Sequence, residues 1–283
     1  LSRYATFLLR RLAQACIIVV GIVCVNFAVV HLAPGDLAEV MAGQGGGGDA
    51  GYVALLRERF GLDQPLWVQF QRYAFNLLRL DLGYSFKDNM PVATLIADKL
   101  AATAILMIAS LGTAFLLGIG LGTLAAVRQN SLSDVVISLL ALIGYARHAV
   151  MPVLTLTVFY MAVFIRLMRA SVLNVASLDF VRTAYAKGMS RRQAYTKHVV
   201  GNALLPMITM LGVNAGGILG GSVVVETVFG WPGLGRLTFD AIFARDVNLL
   251  LGILFCSSLL VVITNLVTDL VSAWIDPRIE VSA

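Results

Sequence analysis

The sequence predicts an all-α, polytopic membrane protein, and three observations predict it. Apolar residues make up 59% of the 283 and charged residues only 13%, whereas soluble domains run nearer half apolar and a quarter charged. The apolar residues lie in long runs, and 106–127, 153–165 and 249–263 hold no charged side chain. A bilayer core about 30 Å thick needs roughly 20 apolar residues as a helix, and several segments reach or approach that length. The net charge of +5 comes from bases clustered beside the apolar runs, as orientation against a bilayer produces. No nucleic-acid partner is expected.

Six spans are expected, at about 9–33, 97–127, 131–145, 149–172, 202–226 and 248–274. The first follows Arg10 and Arg11 and is longer than the core of a secretory signal, with no small-x-small cleavage site after it. It reads as a retained helix. Cys16, Cys24 and Cys256 all fall within apolar segments, without the spacing of a disulfide scaffold or zinc site. Lys and Arg outside the spans mark the cytoplasmic side. They are Arg3, Arg10 and Arg11 at the N-terminus, Arg128 after the second span, and a cluster from Arg166 through Arg169, Arg182, Lys187, Arg191, Arg192 and Lys197. Both termini then lie in the cytoplasm. The third segment sits badly in this scheme, since 132–145 reaches only about 21 Å as a helix and the next begins almost at once.

The chain divides into an N-terminus with the first span (1–33), a long external loop region with short helices (34–96), and a core of five further spans (97–283) carrying a cytoplasmic loop (173–201). In the external region, Gly45 to Gly48 make a flexible spacer. A short helix is expected over 52–60 with Gly61 at its C-terminus. Pro65 opens a second helix over 66–80, whose Leu66, Phe70, Tyr73 and Leu77 recur at helical spacing. That amphipathic helix lies on the outer membrane face or packs on the spans. Gly118, Gly120 and Gly122 lie in the second span, and Gly212, Gly216, Gly217, Gly220 and Gly221 in the fifth. Spacings such as Gly212-x-x-x-Gly216 and Gly216-x-x-x-Gly220 allow close helix approach, either as fixed packing or as a face that moves. Polar groups in spans are functional candidates by default: Asn214 and Glu226 in the fifth, Asn265 and Asp269 in the sixth. Glu226 is placed to hold the turn at Trp231-Pro232-Gly233. A lone His31 reads as a helix-end hydrogen bonder.

The segment 178–206 is polar and basic between two apolar spans. Ser177 is placed to cap a short helix with Asp179 near its positive end. Gly188 ends that helix, and Ser190-Arg191-Arg192-Gln193 forms a capping box that starts another. Ala184 and Ala186 leave a smooth ridge suited to a partner's groove. The run Phe180-Val181-Arg182-Thr183-Ala184-Tyr185-Ala186-Lys187-Gly188, followed by Asn202-Ala203-Leu204-Leu205-Pro206, resembles the EAA loop of ABC importer permeases in its peptide/nickel version. Arg182-Thr183-Ala184 stands where the broader family has Glu-Ala-Ala. Further stretches carry the resemblance across nearly the whole chain: His31 to Asp36, Phe60 to Pro65, Leu80 to Ser85, Val225 to Gly235, and Asp276-Pro277-Arg278.

The resemblance implies a type I ABC importer permease fold of six spans in the bacterial inner membrane. It implies a second homologous permease, two cytoplasmic ATPases and an external solute-binding protein as partners. Phe180, Arg182, Thr183, Ala184, Ala186, Lys187, Gly188 and Arg191 would form the loop that couples to an ATPase. By the resemblance, roughly 30–40 residues are expected to be missing near 145–147, which would complete the third span and an external loop. No cofactor is expected on this chain, which has no GxxxxGK[ST] loop, so ATP and Mg would be bound by the partners. The expected cargo is di- or oligopeptides, with nickel chelates, glutathione or another small solute as the alternative. A channel or secondary transporter is a more remote reading. An intramembrane enzyme is not expected, because Gly220-Gly221-Ser222 lacks a nucleophile elbow and no motif orients His31, His148 or His198 as a base.

Overall fold

A computed structural model describes residues 3–32, 37–44, 50–85, 87–127, 150–219 and 222–275. Among them, five helices are long and apolar enough to cross a membrane, over Leu8–Val29, Val92–Val127, Val150–Ala176, Arg191–Leu219 and Val247–Trp274. The expected third span, 131–145, and the suspected gap near 145–147 lie outside the described residues. The helices are α1 (Arg3–Leu32), α2 (Leu37–Gln44), α3 (Ala50–Phe60), α4 (Leu66–Leu78), α5 (Val92–Val127), α6 (Val150–Ala176) and α7 (Asp179–Ala186). They continue with α8 (Arg191–Ala194), which runs through a π turn (Tyr195–Val199) into α9 (Val200–Leu219), then α10 (Val223–Val228), α11 (Leu234–Ala244) and α12 (Val247–Ile275). The chain forms two compact units, one of 1–7, 104–218 and 263–283, the other of 8–103 and 219–262.

In the first unit, α5, α6 and α9 bury a core that includes Leu111, Ala114, Met161, Phe164, Met168, Ala203 and Met207. Two of the α5 glycines make this contact possible. A Cβ on Gly118 would overlap Phe164, and one on Gly122 would overlap Met168, whereas one on Gly120 would meet nothing within 4 Å. Phe115 meets Phe164 edge-on at 5.6 Å between ring centroids. The hydroxyls of Thr113 and Thr157 lie 2.9 Å apart, and Thr157 donates to the Ser110 carbonyl at 3.2 Å. Hydroxyls paired this way across helices satisfy groups that the apolar surroundings would otherwise penalise. At Gly212 a Cβ would overlap Thr268 of α12, while at Gly217 it would meet open space.

In the second unit, α3 ends as its sequence dictates. Gly61 takes φ +65°, and the Leu62 amide reaches back to the Arg57 carbonyl at 2.9 Å, closing a glycine C-cap. Pro65 then starts α4, where its missing N–H costs nothing. Phe70 and Tyr73 pack on Phe27 of α1, with centroids 5.3 and 6.0 Å apart. His31 accepts or donates at both ring nitrogens, 2.9 Å from the Phe27 carbonyl and 3.0 Å from Gln69 Oε1. It is a helix-end hydrogen bonder, as the sequence suggests. A two-stranded antiparallel ladder, β1 (Tyr84–Ser85) with β2 (Met90–Pro91), leads into α5. A second core gathers Val92, Ile96, Leu234, Leu237, Ala241, Leu249 and Ile253.

The spans depart from their expected limits at several points, the fifth beginning at Arg191, well before 202, and the fourth running on to Ala176. The second begins at Val92, five positions before its apolar run, because β2 hands directly into the helix. The fifth ends at Leu219, and Glu226 stands on the separate α10. The valines of 223–225 continue the apolar pattern beyond the helix, and apolarity alone does not mark where a helix stops.

Candidate functional site

Two constellations hold most of the polar chemistry, one around α7 and one around Glu226. α6 runs out at Ala176, where the Ser177 hydroxyl donates back to the Asn174 carbonyl at 2.7 Å. Ser177 therefore does not cap α7. That position belongs to Leu178, in extended conformation at φ −76° and ψ 150°, whose carbonyl accepts the Val181 amide at 3.0 Å. Asp179 is in the first turn, where its charge opposes the exposed amides. Its 3.7 Å contact with Arg182 is solvent-exposed and so contributes little.

α7 has two faces. Val181 and Ala184 are buried, and Val181 belongs to the same core cluster as Val172 and Val199. The other face exposes Phe180, Arg182, Thr183, Tyr185, Ala186 and Lys187, with Leu178 at its edge. Ala184 thus supports the helix from within and is not part of an outer ridge, while Ala186 is on the surface. Small size at position 184 lets α7 sit close against the core, which fixes the height of the exposed face.

The far end of α7 is closed by backbone geometry. Gly188 takes φ +83°, which Gly adopts at no steric cost. Its amide bonds the Tyr185 carbonyl at 2.9 Å, and the Met189 amide bonds that of Ala184 at 3.2 Å. The expected capping box is present: Ser190 accepts from the Gln193 amide at 3.4 Å, and the Ser190 amide donates to Gln193 Oε1 at 3.2 Å. Arg191 lies over the Tyr195 ring at 5.7 Å. The π turn that follows absorbs an extra residue relative to an α-helical turn. The result is a rigid finger with an aromatic and basic outer surface, anchored in the core of its unit.

The second constellation centres on Glu226, which is fully buried. Its Oε2 accepts the Gly235 amide at 2.7 Å and the Arg236 amide at 3.2 Å, and Oε1 accepts the Thr103 hydroxyl at 3.0 Å and the Ser222 hydroxyl at 3.5 Å. Thr103 in turn accepts the Leu234 amide at 2.8 Å. A carboxylate at the start of α11 thereby satisfies amides that the helix leaves orphaned. Trp231 Nε1 donates to the Ala102 carbonyl at 3.0 Å, and Arg236 reaches the Gly230 carbonyl at 3.0 Å. At Gly233 and Gly235 a Cβ would collide with the Glu226 carboxylate or the Val223 backbone. Burial pushes the Glu226 carboxyl above its ordinary value, against the opposing pull of the Arg236 and Gly235 amides and the Thr103 and Ser222 hydroxyls. The Glu226 side chain holds the start of α11, just past the Trp231-Pro232-Gly233 turn, and its backbone carbonyl accepts the Trp231 amide at 2.8 Å.

The remaining candidates do not converge with either constellation. Asn214 donates to the Met210 carbonyl of its own helix at 2.8 Å. Asn265 is exposed, and Asp269 is half-buried and engaged. Gly212 and Gly216 are buried; Gly220 lies outside the described residues. Sequence reasoning missed Thr103 and the pair Ser85–Asp246, in which the buried Ser85 hydroxyl donates to Asp246 Oδ2 and Asp246 Oδ1 accepts the Leu249 amide at 3.0 Å. Asp246 carried a signal, being a good N-cap residue just before an apolar run. Thr103 carried none, since its partners are over 120 positions away.

Several long apolar helices, with a core-anchored, aromatic and basic finger between two of them, define a polytopic membrane protein. The chain matches the family model "Binding-protein-dependent transport system inner membrane component" over residues 94–281, and the model of that family's N-terminal region over 4–107. It belongs to this family, in the peptide/nickel branch of ABC importer permeases. It is similar to the glutathione transport system permease protein GsiC of Salmonella paratyphi A, with 36% identity over 303 residues covering 97% of this chain and 98% of that protein. GsiC of an Escherichia coli strain is 37% identical over 283 residues, covering 90% and 92%. The dipeptide transport system permease protein DppB of Escherichia coli is 31% identical over 334 residues, covering 97% and 98%.

Proposed function

We propose that this permease imports short peptides, driven by two partner ATPases and fed by an external solute-binding protein, with a second homologous permease completing the path. The observation that carries this reading is α7: buried Val181 and Ala184 fix it to the span core, while Phe180, Tyr185, Arg182 and Lys187 stand outward. Such a helix transmits a push from a cytoplasmic ATPase to α6 and α9. A transporter must be biased between outward- and inward-facing states by differential binding energy, and a loosely tethered loop would dissipate that bias. Phe180, Arg182, Thr183, Ala186, Lys187 and Arg191 are proposed to meet the ATPase, with Ala184 and Gly188 setting the finger's position. ATP and Mg reside on the ATPases in this scheme.

The cargo reading rests on the relatives, whose names specify glutathione and a dipeptide. Both are short peptides with free charged ends. The higher identity to the glutathione permeases favours glutathione as the second, narrower reading. We place both termini in the cytoplasm, with the six crossings expected from the sequence and residues 34–96 outside. The alignment with GsiC runs over 303 residues against 283 in this chain, which supports extra residues in the relative.

The test is ATP hydrolysis by the complex in proteoliposomes, with the binding protein loaded with a dipeptide or with glutathione. Stimulation by one loaded form, accompanied by uptake, supports the importer and assigns the cargo. Hydrolysis insensitive to both leaves the ATPase partnership standing and overturns the peptide cargo.

A further inference from the structure

α4 carries more apolar surface than its contact with α1 uses. Phe70 and Tyr73 form the face that meets α1, and Leu77 beside them is buried. At 100° per residue, Trp67, Ala74 and Leu78 form a stripe beside that face. Trp67 is 66% and Leu78 84% exposed. The polar pole of the helix, with Gln69, Arg72 and Asn76, turns instead toward a cavity of about 250 Å³. The apolar arc is thus wide, and only part of it is covered.

Where this uncovered flank stands is fixed by α1. Its apolar span ends at Val29, and the residues that grip α4 are Phe27 and His31. α4 is therefore held at the level where the first span leaves the hydrocarbon. The exposed side of α1 at that end, Val25, Val29 and Leu32, belongs to a membrane-embedded helix. Between 64 and 80 the only charged residues are Arg72 and Arg79, and Arg79 lies over the Phe75 ring at 4.1 Å. Trp at the span boundary, exposed Leu beside it and an arginine at the helix end form the composition of a helix lying in a lipid headgroup layer.

We propose that α4 is an interfacial anchor whose Trp67–Leu78 flank rests in the headgroup and upper acyl region of the bilayer, with Arg79 meeting phosphate groups. The span of that contact is about 17 Å along the helix. It clamps the outer end of α1 against tilting.

The experiment is spin labelling of the assembled complex in phosphatidylglycerol-containing nanodiscs, with Cys16, Cys24 and Cys256 replaced by Ala. Leu78→Cys is the main probe, because so exposed a side chain adds little to the fold, and Asn76→Cys is the aqueous reference. Binding-protein-stimulated ATPase activity shows that each labelled complex is assembled. The label at 78 is expected to collide severalfold more with oxygen than with a water-soluble nickel chelate, and the label at 76 to show the reverse. A label at 78 that favours the nickel chelate places the flank in water and overturns the proposal. A label at 78 shielded from both quenchers places it under a protein partner and overturns it equally.

Discussion

At the scale of single residues, Glu226 and Gly188 show how differently two positions constrain the chain. The Glu226 carboxylate gathers two amides and two hydroxyls in a site without solvent. Glu226→Ala leaves the Gly235 and Arg236 amides and Thr103 without their acceptor, at about 1–3 kcal/mol for each group that stays buried. A marked fall in the thermal unfolding midpoint of the purified permease is expected. The pH dependence follows from burial raising its pKa. With the folded value above the unfolded one, this group's contribution is complete below the ordinary carboxylate range. It is lost as pH rises through the raised value. Glu226→Gln should flatten that part of the stability profile, and an unchanged profile would assign it to other groups. Gly188 is constrained by its backbone alone, since a Cβ there would meet nothing within 4 Å. Gly188→Val should strain the φ +83° turn by about 1–2 kcal/mol and lower the solute carried per ATP hydrolysed. Gly188→Asn, better tolerated at positive φ, should do so less. Equal effects of Asn and Val would point to bulk at the partner surface instead.

At the scale of elements, the two faces of α7 separate folding from coupling. Ala184→Leu overpacks a buried position and should cost about 1–3 kcal/mol, seen as lower folded yield and thermal stability. Phe180→Ala should leave both unchanged and weaken ATPase binding by about 1–2 kcal/mol, roughly tenfold, in a titration of the purified ATPase. A destabilised Phe180→Ala would mean that the outer face belongs to the core. Elements were also where sequence reading succeeded and failed most visibly. Gly61, Pro65, Gly188 and the Ser190–Gln193 box act within a few residues of themselves, so their helix ends were legible. Ser177 looked like a cap but found a carbonyl in the preceding turn, a choice the one-dimensional pattern does not decide. The inward turn of Ala184 depends on where α6 and α9 pass. The glycines show the same limit: Gly118 and Gly122 touch α6 and Gly120 does not, although all three share one motif.

At the scale of the whole molecule, composition and charge-free runs were enough to declare a polytopic helical membrane protein, and the family match agrees. The clamp around Glu226 was half legible: its link to the Trp231 turn is local, while Thr103 joins across more than 120 positions. The number of crossings is decided by parity. Five described helices can span, and five crossings put the termini on opposite sides of the membrane. The basic residues argue otherwise, because Arg3, Arg10 and Arg11 at one end and the 166–197 cluster further on belong on the same side. Only an even number of crossings between the first group and the second satisfies both, and α1, α5 and α6 make three. The six crossings expected from the sequence, with one more between α5 and α6, would satisfy both. Reporter fusions at the two termini test this directly, using a tag active only in the cytoplasm and another active only outside it. Cytoplasmic activity at both ends is expected and requires an even number of crossings. Opposite assignments would leave five, and the basic cluster around α7 would then lie on the side away from Arg10 and Arg11, where no ATPase could reach it if the N-terminus is cytoplasmic.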